Sequence, residues 1–191
     1  MDYTIGIASY NRASRQLTLD YLERIGIDME RVIMSVQTEK DYEAYRERGT
    51  DRRVKKLILR PAASAAGNRN TILDELPSGS NVVLIDDDIK SISRLSGGTL
   101  TAVDSRGAFE SMLADGYRRA RESRTIGFGL YPVHNAYFMS YGFKKRNICD
   151  AGFFALVNTA QRFDTRFGTK EDYEFCCRAI RKYGAFVRLD N

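Results

Sequence analysis

Few cysteines, a single histidine and no long apolar run set the first limits on this chain of 191 residues. No stretch approaches the about 20 apolar residues that a membrane span requires, so no membrane segment is expected. The opening "MDYTIGIASYNR" carries an acid at position 2 and no basic run ahead of an apolar core, which argues against a secretory signal. The three cysteines, Cys149, Cys176 and Cys177, are odd in number, two are adjacent, and none has metal-ligand spacing. They read as reduced thiols, and the expected compartment is the cytoplasm. No internal repeat, low-complexity tract or Pro/Gly/Ser-rich linker divides the chain, so residues 1–191 read as a single domain.

What is present is a core and an uneven charge. Apolar residues make up 43% of the chain, and 30 Lys plus Arg against 25 Asp plus Glu leave a net charge of +5. The basic excess is concentrated in "YRERGTDRRVKKLILR", with seven basic residues and two acids, in "RRARESR" (118–124) and in "KKR" (144–146). Such runs are commonly solvated faces; they are also what a phosphate-rich partner would require.

Hydrophobic periodicity predicts alternating elements. "YTIGIAS", "RVIMSVQ", "KKLILR" and "NVVLID" read as short buried strands. Between them lie helical patterns in "SRQLTLDYLERIG", "EKDYEAYRERG" and "AASAAGNRNTILDELPSG". Alternation of this kind predicts right-handed βαβ units and an α/β fold with a central, mostly parallel sheet flanked by helices. The second half is less regular. A helix is expected in "SRGAFESMLADGYRRARES" and another in "TKEDYEFCCRAIRKYG", with strands in "TIGFGLYP", "NAYFMSYGF", "AGFFALVN" and "AFVRLDN".

Ligands of open α/β sheets gather beyond the carboxyl ends of the strands. Two such ends carry polar residues: "SYNR" (9–12), with Ser9, Tyr10 and Arg12, and the run Asp86-Asp87-Asp88 after "VVLI". Residues two apart on an extended chain point the same way, so Asp86 and Asp88 are expected to face one side and Asp87 the other. Two convergent carboxylates suit Mg²⁺ or Mn²⁺, with phosphate oxygens completing the shell. The alternative is a polar strand end in which Asp88 caps the next helix. In "AAGNRN", Gly67 permits close backbone approach, the helix start offers N–H groups to an anion, and Arg69 offers a planar bidentate contact. In "GTKEDYEF", Thr169 and Asp172 have capping spacing, while the helix start is also a rigid place for a carboxylate base.

Taken in order, "IASYNRA", "AGNRNTILDEL", "VVLIDDDI" and "FFALVNTAQRFDTRFGTKEDYEFCCRAIRKYG" resemble the GT-A glycosyltransferases, most nearly those of the family-2 type. The phrase "KEDYEFCCRAI" and the small size look like the phage glycosyltransferases associated with TET-like oxygenases, which are thought to glycosylate hydroxymethylated pyrimidines in DNA. The resemblance implies a Rossmann-like fold with a nucleotide-sugar half over 1–95 and an acceptor half over 96–191. It implies that Ser9, Tyr10 and Arg12 receive the nucleotide base and ribose, and that Arg69, flanked by Asn68 and Asn70, contacts the base. Asp86 and Asp88, with Asp87 between them, match the Asp-x-Asp pair, the first nearer the ribose and the second on the metal. Asp172 matches the base that deprotonates the acceptor, with Glu171 beside it. The implied cofactor is Mn²⁺ or Mg²⁺, the donor a UDP-sugar and the acceptor DNA.

Two features depart from that pattern. The only histidine, His134, lies in "YPVHNAYF" rather than near the C-terminus, and no Gly-Gly precedes the late Glu-Asp pair. Aromatic residues Tyr131, Tyr137, Phe138, Tyr141 and Phe143 are placed to pack the core or line an acceptor cleft. A saccharide, lipid or protein acceptor stays open, since one fold serves many substrates. So does a metal-dependent nuclease or nucleotidyltransferase, for which Lys90 is the nearest lysine to the acids, and so does a catalytically silent nucleic-acid-binding domain.

Overall fold

The computed structural model describes residues 1–62, 64–150 and 152–190. Ala63, Ala151 and Asn191, which the expected helix lead-in and two expected strands include, lie outside the described residues. The first half alternates as its periodicity predicts: β1 (Thr4–Ala8), α1 (Leu17–Arg24), β2 (Val32–Val36), α2 (Glu39–Glu47), a one-turn α3 (Thr50–Arg53), β3 (Lys56–Leu59), α4 (Ala65–Glu75) and β4 (Asn81–Asp86). The second half contains β5 (Ser93–Ser96), β6 (Thr99–Ala102), α5 (Arg106–Glu122), β7 (Gly127–Leu130), β8 (Phe143–Lys144), β9 (Phe153–Val157), α6 (Glu171–Tyr183) and β10 (Val187–Leu189).

Eight of these strands form one sheet in the order β3-β2-β1-β4-β9-β7-β10-β8. The block β3-β2-β1-β4 is wholly parallel. Strand β9 then runs antiparallel between β4 and β7, β10 returns parallel to β7, and β8 closes the edge antiparallel. The sheet is therefore mixed, with the parallel block carrying the expected βαβ windings.

Each strand of the block is apolar on both sides because helices cover both faces. Val83 and Ile85 of β4 pack with Ile5, Ile7, Leu19, Tyr45 and Phe109 under α1, α2 and α5. Their neighbours Val82 and Leu84 face the other way, onto Ile72, Phe154, Phe175 and Cys176 under α4 and α6. Side-chain caps start several helices: Thr38 accepts from Asp41 N–H, Ser64 from Gly67 N–H and Ser105 from Ala108 N–H. Among the described residues no helix is long and apolar enough to cross a membrane.

Two expectations for the second half fail. "NAYFMSYGF" is not a strand: Ala136–Phe138 is a 3₁₀ turn capped by the Asn135 side chain, which accepts from Tyr137 N–H, and only Phe143 belongs to a strand. Its aromatics do not alternate between inside and outside, so aromatic content alone suggested β structure. The β5–β6 hairpin was not anticipated. Its signal is Gly97-Gly98, both at positive φ, in a two-residue turn of the kind that matches strand twist.

Close approach makes one glycine testable. A Cβ on Gly116 of α5 would lie 2.2–2.5 Å from the Phe128 ring of β7. Gly116→Ala is expected to cost about 1–3 kcal/mol through forced repacking, read as a lowered urea midpoint at unchanged m-value.

Candidate functional site

Strand register assembles the site. In the parallel block Ala8 of β1 pairs with Asp86 of β4 on one side and Ser35 of β2 on the other. The residues just beyond, Ser9 and Asp87, therefore meet at the carboxyl edge of the sheet. Ser9 Oγ donates to Asp87 Oδ2 at 2.5 Å, and Tyr10 N–H reaches the same oxygen at 3.3 Å. The turn that follows β1 passes through Asn11 at positive φ, a conformation asparagine tolerates better than most residues. That turn brings Arg12 back over the acids, 3.2 Å from Asp87 and 3.3 Å from Asp88.

The strand ends at Asp86, so the period of two does not extend to the next residues. This corrects the expected split of the three aspartates. All three line one cleft together with Ser9, Tyr10, Arg12, Gln37, Asn68 and Arg69. Asp86 faces Arg69 at 2.7 Å, whereas Asp87 and Asp88 share Arg12. Asp88 caps no helix and is the most exposed of the three, with 46% of its side chain accessible.

Arg69 ties three elements together. From the first turns of α4 its guanidinium donates to Asp86 at the end of β4 and to Glu171 at the start of α6. Only 7% of its side chain is exposed. Burial works against its charge, but Asp86 and Glu171 outweigh that and raise its pKa. Burial pushes the Asp86 carboxyl above the usual range despite Arg69, and pushes Asp87 up despite Ser9 and Arg12. Arg69 thus lines the cleft with each terminal nitrogen donating to a protein carboxylate. Asn70 turns away altogether, clasping the Phe163 backbone through two bonds of 2.8 Å. Asn68 faces the cleft: its amide N–H donates to Ser9 O at 3.0 Å, and its buried Oδ1 has no partner among the described residues.

The late Glu-Asp pair opens α6. Its N-cap is Lys170 in the left-handed conformation with no side-chain cap, so the expected Thr169 cap does not form. Glu171 is buried against Arg69, and half-buried Asp172 follows it, accepting from Tyr173 N–H at 2.8 Å. Of the three non-glycine residues at positive φ, Asn11 and Lys170 lie in the two loops that carry these motifs.

Two supporting residues escaped the sequence reading. Tyr45 of α2 is fully buried, its hydroxyl bonded to Ser9 Oγ and accepting from Arg12 N–H at 3.2 Å. Burial raises its pKa to about 12. Thr18 of α1 donates from its hydroxyl to Asp86 O and accepts from Ile89 N–H at 2.9 Å, pinning both ends of the acidic turn. Nothing in "EAYRE" or "QLTLD" marks them, because each looks like an ordinary amphipathic helix position.

Among the described residues, no three His, Cys, Asp or Glu side chains converge as a ready-made metal cage. The acidic turn offers hard oxygen donors on an open cleft. That set fits a Mg²⁺-like ion, which is held by one or two carboxylates with phosphates and water filling its shell. His134 stands apart, with Nε2 3.1 Å from Ser93 Oγ, in a second cavity. Lys90 does not line the acidic cleft.

No model of a known protein family matches the sequence, and no curated protein matches it. Solved structures match the fold. The mannosyltransferase PcManGT from Pyrobaculum calidifontis, in complex with GDP-Man and Mn²⁺, aligns with a TM-score of 0.57 at 13% identity, over 98% of this chain and 56% of that one. S. aureus TarS 1–349 aligns with a TM-score of 0.61 at 11% identity, over 100% of this chain and 58% of that one. The same fragment in complex with UDP gives 0.56 at 13% identity, again over 58% of its length. The fold is that of the GT-A glycosyltransferases. This chain spans little more than half the length of those structures, and in it the GT-A sheet places the acidic turn, the "SYNR" turn and the α4 start around one cleft.

The clamp gives a stability test. Arg69→Ala leaves Asp86 and Glu171 facing each other without a cation, and breaking a buried pair in this way costs about 3–5 kcal/mol. Urea unfolding should show a loss of that size, with Arg69→Lys recovering only part of it because an ammonium lacks the planar fork.

Proposed function

We propose that this chain is a metal-dependent glycosyltransferase that moves a sugar from a nucleoside-diphosphate donor, a UDP-sugar in the first instance, to a hydroxyl acceptor in the cytoplasm. The observation that carries this reading is the acidic turn at the end of β4, shared by Arg12 and Arg69 inside a cleft of a GT-A sheet. Four carboxylates (Asp86, Asp87, Asp88 and Glu171) meet two guanidiniums there, which leaves the charge that one divalent cation neutralises. GDP-Man and Mn²⁺ bind PcManGT, and UDP binds TarS.

In this reading Asp88 and Asp86 would hold Mn²⁺ or Mg²⁺, which when bound would supply Lewis-acid stabilisation of charge on the departing diphosphate. The remaining work falls to the chain's own groups. Tyr10 and Asn68 bound the base pocket. Asp87, oriented by Ser9 and Tyr10, receives the ribose. Arg12 bridges Asp87 and Asp88 and sits where it can meet a phosphate. Since the Glu171 carboxylate is committed to Arg69, Glu171 positions the start of α6. Asp172 alone takes the proton from the acceptor hydroxyl in an inverting transfer.

For the acceptor, we favour a 5-hydroxymethylated pyrimidine in DNA. The support is the net charge of +5 together with the resemblance of "KEDYEFCCRAI" to phage DNA-base glycosyltransferases. A base must leave the stack before its hydroxymethyl group can be reached. Transfer to a saccharide, lipid or protein and not to such DNA would replace this acceptor with another.

The donor site is tested by calorimetric titration of UDP with and without Mn²⁺. Wild type should bind UDP more tightly with the ion, and Asp88→Ala should lose that increment. Asp88→Ala keeping full Mn²⁺-dependent affinity would refute the assignment. Asp172→Asn should bind UDP normally while transfer falls about 10²–10⁴-fold, measured as donor consumption with hydroxymethylcytosine DNA. A full transfer rate would remove Asp172 from the reaction.

A further inference from the structure

Ion pairing differs among the three basic clusters. In the first, Arg46, Arg53, Lys56 and Arg60 meet carboxylates and Arg48, Arg52 and Lys55 meet none among the described residues; in the second, Arg118 and Arg119 do and Arg121 and Arg124 do not. Lys144, Lys145 and Arg146 have no ion pair with any described residue, and all three are exposed. From Pro132 to Arg146 the chain contains these three cations and no acid.

The same segment displays the most exposed aromatics of the described chain. Tyr137 is 86% accessible, Phe138 60% and Tyr141 65%. Tyr137 and Phe138 stand edge to face with centroids 5.1 Å apart, and Tyr141 is braced by Gly98 N–H of the hairpin at 2.6 Å from its hydroxyl. A lysine on the edge strand β8, Lys144, would by itself serve to block further strand pairing. That leaves three upright rings unexplained, since a solvated loop gains nothing from them.

Beneath the segment is a cavity of about 370 Å³, on the far side of the acidic turn from the donor cleft. Its walls include the apolar Ile89, Leu130, Val133 and Phe153, with Ser91, Ser93, His134 and Asp150 among its polar groups. The turn separates the two spaces by only a few residues, since Asp88 lines one and Ile89 the other.

We propose that residues 131–146 form the seat of a single-stranded nucleic acid. Bases stack on Tyr137, Phe138 and Tyr141, backbone phosphates meet Lys144, Lys145 and Arg146, and the cavity receives one base swung toward the acidic turn. Stacking rings beside unpaired cations are the combination that single strands require, because every base has a face to stack and every nucleotide a charge. A duplex offers no free face to the rings. This inference deepens the acceptor reading above and assigns it to a surface, but binding to that surface requires no sugar donor.

The test is fluorescence anisotropy of a short labelled single-stranded oligonucleotide without UDP or metal. Wild type should bind at low salt with a log–log salt slope of about −2, as three neutralised phosphates at about −0.7 each predict. Changing Lys144, Lys145 and Arg146 together to Gln should flatten the slope. Tyr137→Ala with Phe138→Ala should weaken binding at least about fivefold at an unchanged slope; both side chains are exposed, so the fold is not at issue. Either variant binding like wild type, or no binding at low salt, overturns the proposal. Sedimentation with anionic vesicles that depends on these residues, without oligonucleotide binding, overturns it in favour of a membrane surface. The UDP titration is a separate measurement, so failure of the donor reading and failure of this surface are told apart.

Discussion

The structure turns on one buried cation. Without Arg69, the end of β4 and the start of α6 would bring Asp86 and Glu171 together in a setting where burial already pushes Asp86 toward its neutral form. With it, two segments separated by 85 residues of chain, Asp86 and Glu171, share one guanidinium. The planar fork matters, because two carboxylates approached from different directions need donors on separate nitrogens. Stability is not the reason such a group is retained, as apolar replacements of buried ion pairs are often neutral or better. The clamp instead fixes where the acidic turn and the α6 start lie relative to each other, and both must be in place before the cleft has any shape.

A second layer of polar contacts holds the rest of the rim. Asp87 is oriented by Ser9, Ser9 by Tyr45, and Tyr45 also receives the Arg12 N–H, so the "SYNR" turn and the acidic turn are one hydrogen-bonded unit. Thr18 secures the backbone on the other side of the same turn. These partners come from α1 and α2, the helices packed on one sheet face, while Arg69 and Glu171 come from α4 and α6 on the other. The cleft is therefore gripped from both faces of the sheet. Network members of this kind couple strongly, which is why loss of Tyr45 should be felt at Arg12 and Asp87 rather than only in the core.

Much of this was legible in the sequence, and the limits have physical causes. Strands β1 to β4 follow from short apolar runs bounded by polar ones, and the three aspartates after "VVLI" mark the carboxyl edge of the parallel block. Register did the rest: it is the pairing of Ala8 with Asp86 that brings Ser9 to Asp87, and no local pattern encodes which strand lies beside which. The alternation rule failed at Asp87 because it describes extended chain, and the chain turns there. Motif placed Arg69 and Asn70 in the cleft; Arg69 does line it, but its bond to Glu171 and the bonds of Asn70 to Phe163, which turn Asn70 away, go to partners about a hundred residues along the chain. Tyr45 and Thr18 gave no signal at all, since a helix position facing a polar network looks the same as one facing a core. "NAYFMSYGF" misled for the opposite reason: its aromatics are not buried, so their β propensity had no sheet face to act on.

The two sides of the acidic turn differ in kind. On the side of Ser9, Arg12 and Arg69 nearly every polar group is fixed by a partner within the protein, an arrangement that lowers the cost of ordering a bound ligand. The other side has an apolar cavity, a short 3₁₀ turn and side chains standing in solvent, with few polar groups committed in advance. Loops of that sort diverge readily while a rigid scaffold persists. Because Asp86 to Ile89 is the common wall, a shift on either side must pass through a backbone stretch pinned by Thr18 and held by Arg12 and Arg69. The site can vary what it accepts only so far as that stretch stays still.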